Sequence, residues 1–94
     1  MHSPGMQEMH RDAATMPDDV ANRLTRKLRL LQTPGNHAMK QFAKRARELQ
    51  QQGSTAEQAA IIAAKDKFQA EFEPTRYDNQ GESMETLLAD IEQL

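Results

Sequence analysis

The residues with the most chemistry to offer are the cations in the middle of the chain. Residues 20–50 hold eight Lys and Arg against one acid. Residues 51–94 hold three against nine, and the first nineteen residues hold one against four. The formal net charge of −2 conceals this division into a basic middle and an acidic end. Arg23, Lys27, Lys40, Lys44 and Arg47 fall beside apolar residues at helical spacing, so two antiparallel helices would merge them into one positive surface. Such a surface has three uses. The acidic end of the same chain can partly neutralise it, selecting a topology more than adding stability. An acidic protein partner can be steered to it. Nucleic acid can be held on it through phosphates. We rank them in that order. Against nucleic acid, the one aromatic among these cations is Phe42, which fits a core stripe, whereas single strands are held by exposed rings.

Catalysis and metal binding find less material. Ser3, Ser54 and Ser83 have no base nearby in sequence, and the latter two have the positions of helix caps. The carboxylates are scattered, Tyr77 stands alone between turn formers, and the four glycines make no phosphate loop. Cysteine is absent, which removes disulfides and thiolate metal sites. Met1, His2, Met6, Met9 and His10 combine thioether and imidazole, a soft set suited to Cu(I), but their spacing is loose and start-site methionine is the simpler explanation. His37 reads as a solvated first-turn histidine. The expectation is no enzyme, no cofactor, no metal and no small-molecule substrate.

These side chains need elements to position them, and every pattern is helical. Of the 94 residues, 37% are apolar, 28% charged and 4% aromatic. Leu, Ile, Val and Phe number fifteen, a thin supply for one small domain. No strand pattern and no apolar run near the ~20 residues of a membrane span is present. No secretory leader is visible, so a cytoplasmic protein is expected.

Residues 1–17 show no sustained period and read as a mobile tail. A first helix is expected over 18–32. Pro17, Asp18 and Asp19 open it, and Val20, Leu24, Leu28 and Leu31 form its stripe with Leu30 off it. A second helix is expected from Asn36, as N-cap, to Gln52, burying Met39, Phe42, Ala43, Ala46 and Leu49 and ending on Gly53. A third starts with a capping box, Ser54 with Glu57 or Thr55 with Gln58, and meets no breaker until Pro74. It carries Ile61, Ala64, Phe68 and Phe72 on one face and Ala56, Ala59, Ala63 and Ala70 nearly opposite, which fits equally a helix between two neighbours and alanine used for helix propensity. The Gly turn before it suggests a helix-turn-helix, but its charges (Lys65, Asp66, Lys67 and Glu71) make a packing helix rather than a DNA-reading one. Residues 73–83 read as a linker. Ser83 then caps a short helix over 84–94, with Met84, Leu87, Leu88, Ile91 and Leu94 in one stripe.

The expected fold is therefore all-α, a helical hairpin extended to a three-helix core over 18–72 plus a short amphipathic helix. Leu24, Leu28, Phe42, Ile61 and Phe68 are expected to hold the core. So small an interior suggests support from a second copy or a protein partner. Met84, Leu87, Leu88, Ile91 and Leu94 are the candidate partner contact, either closing a bundle or filling another protein's groove. The expected function is a non-catalytic helical interaction or regulatory module, with a nucleic-acid accessory protein using the basic surface as the alternative.

Overall fold

A computed structural model describes residues 16–94, and the expected tail lies almost wholly outside them. The fold is all-α. Among the described residues four helices, α1 (Pro17–Leu28), α2 (Asn36–Gln51), α3 (Ala56–Phe68) and α4 (Met84–Glu92), are joined with two 3-10 turns at Gln69–Glu71 and Pro74–Arg76.

Helix α1 begins as the residue types dictate, with Pro17 in the first turn and Asp18 and Asp19 at its positive end. It stops four residues short of the expected Gln32. Arg29 takes the left-handed conformation, φ 56° and ψ 48°. The Leu30 amide turns back to the Thr25 carbonyl at 3.1 Å, and the Lys27 carbonyl accepts instead from the Asp78 amide at 3.1 Å. A bond from a distant segment thus replaces the one that residue 31 would have donated. The stripe is corrected accordingly. Leu30, expected off it, is 8% exposed, while Leu31, expected on it, is 69% exposed.

Helix α2 buries the expected Met39, Phe42, Ala43, Ala46 and Leu49. Gly35 rather than Asn36 is the N-cap, and its carbonyl takes the Met39 amide at 3.0 Å. At the other end the Gly53 amide donates to Gln50 at 3.0 Å and the Ser54 amide to Leu49 at 3.1 Å. These are the two bonds of a Schellman turn, with Gly53 at φ +111° where a side chain would be strained.

Of the two capping boxes the sequence allows, Thr55 with Gln58 forms. The Gln58 amide donates to Thr55 Oγ1 at 3.1 Å and the Thr55 amide to Gln58 Oε1 at 3.2 Å. Glu57 is thereby released for a different task. The buried face of α3 is made of Ala59, Ala60, Ala63, Ala64 and Phe68. Ile61, expected in the core, is only partly buried, and Ile62 is 44% exposed. Methyl-sized side chains let the backbones of α2 and α3 approach closely, and the Phe42 and Phe68 rings meet at 5.6 Å between centroids. The expected run to Pro74 breaks at Gln69, which has φ 49° and ψ −118°. Phe72 still reaches the core through the 3-10 turn.

Residues 73–83 are not a free tether. Tyr77 is buried, and Asp78 Oδ1 accepts the Gln80 and Gly81 amides at 3.0 and 2.9 Å in a tight turn. Ser83 Oγ then accepts the Glu85 amide at 3.1 Å and starts α4. Met84, Leu87, Leu88 and Ile91 have no exposed surface, and Leu94 packs against the same core.

Candidate functional site

The five cations singled out above do not make one continuous positive face. Three are drawn inward by carboxylates from the acidic half. Arg23, on α1, donates through Nε to both carboxylate oxygens of Glu82 at 3.1 Å and lies 2.7 Å from Asp90 Oδ2. Arg47, on α2, donates through Nε to Glu92 and through Nη1 to Glu85, both at 2.9 Å. The two guanidiniums grip α4 and its N-terminal lead from opposite flanks. Their planar forks suit the task, because each can serve two carboxylates in a fixed geometry.

Lys27 goes furthest inward. It is 3% exposed, its Nζ is 3.2 Å from Glu57 Oε1 and it sits 5.0 Å from the centre of the Tyr77 ring. Glu57 also accepts the Tyr77 hydroxyl and, at 2.8 Å, the Met84 amide. A carboxylate at the start of α3 therefore caps the start of α4. Burial pushes the Glu57 carboxyl upward, but Tyr77, the Met84 amide and Lys27 together hold it below its ordinary value. Burial, followed by the neighbouring Glu57 charge, raises the Tyr77 hydroxyl far above a free phenol. Arg47, with help from Gln50, lowers Glu85, and Arg47 lowers Glu92. Among the described residues, no buried side-chain nitrogen or oxygen lacks a hydrogen-bond partner. The Lys27–Glu57–Tyr77 cluster is thus spent on holding elements together.

Lys40 and Lys44 remain on the surface and make no ion pair among the described residues. They share one stripe of α2 with Arg47 and Gln51, by their 4-3-4 spacing. This stripe forms one wall of a groove of about 420 Å³ between α2 and α4. Ala43 and Ile91 lie at its base, with Glu48 and Glu92 on the remaining rim. The groove brings together members of both expected surfaces, the basic stripe and Ile91 of the α4 contact.

Ile91, like the other α4 candidates Met84, Leu87 and Leu88, is itself part of the chain's own core. His37 is exposed in the first turn of α2, and Ser83 is a cap. Among the described residues no group of His, Asp and Glu is arranged to hold a metal. The Met- and His-rich stretch weighed for copper lies outside them. No helix of the described chain is long and apolar enough to cross a membrane.

The chain matches no known family, and no curated protein or solved structure matches it. Its function must be read from the surface itself. Sequence reasoning missed Glu57 and Tyr77 because no local period marks either. The signal that did exist was the division of charge, which put internal neutralisation first among three uses but did not say which cation meets which acid.

Proposed function

We propose that the protein is a non-catalytic helical interaction module that engages a protein partner along the groove between α2 and α4. One observation supports this above the rest: Lys40 and Lys44 stand exposed on a groove wall while Arg23, Lys27 and Arg47 are occupied by the chain's own carboxylates. An enzyme reading draws no support from the polar clusters, whose members are consumed in capping and clamping. The nucleic-acid reading loses three of its five cations, which are already paired with the chain's own carboxylates.

A photo-crosslinking residue in place of Gln51 tests the proposal, with one in place of Lys65, exposed on α3, as control. The expected result is a discrete protein adduct from position 51 in cells that make the protein, and none from position 65. A nuclease-sensitive adduct, or none, overturns it. In parallel, RNA or duplex DNA bound at ~50 mM salt and released by ~200 mM would favour the nucleic-acid alternative.

A further inference from the structure

We infer that the α2–α4 groove takes an acidic amphipathic helix, whose carboxylates reach Lys40 and Lys44 as those of α4 already reach Arg47. The inference rests on the interaction reading above and narrows it to one class of partner. The chain itself supplies the precedent. Arg47 donates to Glu85 and Glu92 together, two turns apart on a helix that crosses α2. Lys44 lies one turn further along the same stripe, and Lys40 a second turn. From residue 40 to residue 51 the stripe is about 16 Å long at 1.5 Å per residue. That is room for two to three turns of a second helix with carboxylates repeating every fourth residue on one face.

The groove is chemically matched to such a helix in two further respects. Its base is Ala43 beside Ile91, so a helix can approach α2 without meeting a long side chain there. Its two cations with no carboxylate partner among the described residues are Lys40 and Lys44, whereas Glu48 and Glu92 are paired with Arg45 and Arg47. A second copy of the chain is a poorer fit. Among the described residues its remaining exposed acids are Asp18 and Asp19, adjacent in sequence and so about 100° apart around α1, Asp66 beside Lys67 on α3, and Glu73 beyond α3. None of these builds a carboxylate stripe.

The test is fluorescence anisotropy on the full chain at ~50 mM salt. The probe is a labelled helical peptide of Ala and Leu with Glu at every fourth position. Its Glu-to-Gln counterpart and a single-stranded DNA of equal charge are run beside it. The expected result is saturable binding of the acidic peptide, weakened about tenfold or more by K40E/K44E and unchanged by K65E/K67E. The Gln peptide and the DNA are expected to bind at least as weakly as the acidic peptide binds K40E/K44E. Thermal melting of K40E/K44E checks its fold. No binding of the acidic peptide at this salt overturns the inference, as does equal binding to folded K40E/K44E. Equal capture of the DNA also overturns it, since the stripe would then be a general anion surface. Self-association abolished by K40E/K44E would assign the groove to a second copy. If position 51 yields a protein adduct while the acidic peptide fails, the interaction reading stands and only the acidic class falls.

Discussion

Glu57 serves three groups at once, Lys27, Tyr77 and the Met84 amide. Removing it strands a lysine that is 3% exposed. Glu57→Ala is expected to cost about 2–4 kcal/mol in urea unfolding, the range for breaking a buried pair with some relief because Glu57 itself is partly solvated. Lys27→Met is expected to cost less, since it removes a buried charge instead of orphaning one. A larger loss from Lys27→Met would contradict this account of the cluster. Gln69 offers the opposite sign. At φ 49° and ψ −118° its backbone is strained for a residue that carries a Cβ, so Gln69→Gly is expected to raise stability by about 1 kcal/mol.

Helix α4 shows why element behaviour cannot be judged one segment at a time. Nine residues are too few to hold a helix alone in water. A peptide spanning 83–94 is expected to show no helical circular dichroism, although the same residues are helical in the whole chain. Docking supplies what length does not: a buried apolar face, the Ser83 and Glu57 caps and two guanidinium grips. Leu87→Asp with Ile91→Asp should therefore abolish the cooperative melt of the whole chain. If α1–α3 persisted and only assembly were lost, α4 would be an exchangeable contact and not part of the core. The sequence made α4, its apolar stripe and its Ser83 cap legible. Its carboxylates' partners were not, because they come from residues more than thirty positions away.

At the scale of the molecule, the division of charge becomes a pH dependence. Glu57, Glu85 and Glu92 all have folded-state values below their ordinary 4.5. The unfolded chain then binds their protons first as pH falls. Their stabilisation is fully present above about pH 4.5 and is lost as pH drops through the depressed folded values. Urea midpoints measured from pH 7 down to 2.5 should decline below that point. Arg47→Met should flatten the decline, because it removes the cause of two of the three shifts. An unchanged pH slope in Arg47→Met would refute the clamp. The same scale bears on whether the chain needs company. Fifteen Leu, Ile, Val and Phe suggested a deficit, yet alanines of α2 and α3, with Phe72 and Tyr77, join the larger side chains in one continuous core. Helicity and melting temperature are expected to stay constant across a dilution series followed by sedimentation and circular dichroism.

Periodicity, capping residues and turn formers acted locally, and so the sequence alone determined four helices, the core face of α2, the Schellman turn at Gly53 and the division of charge. Which cation met which carboxylate, where α1 stopped and what Tyr77 was for were decided only in three dimensions. Each of those outcomes depends on a bond between residues far apart along the chain, such as the Asp78 amide on the Lys27 carbonyl, and no nearest-neighbour pattern carries that information.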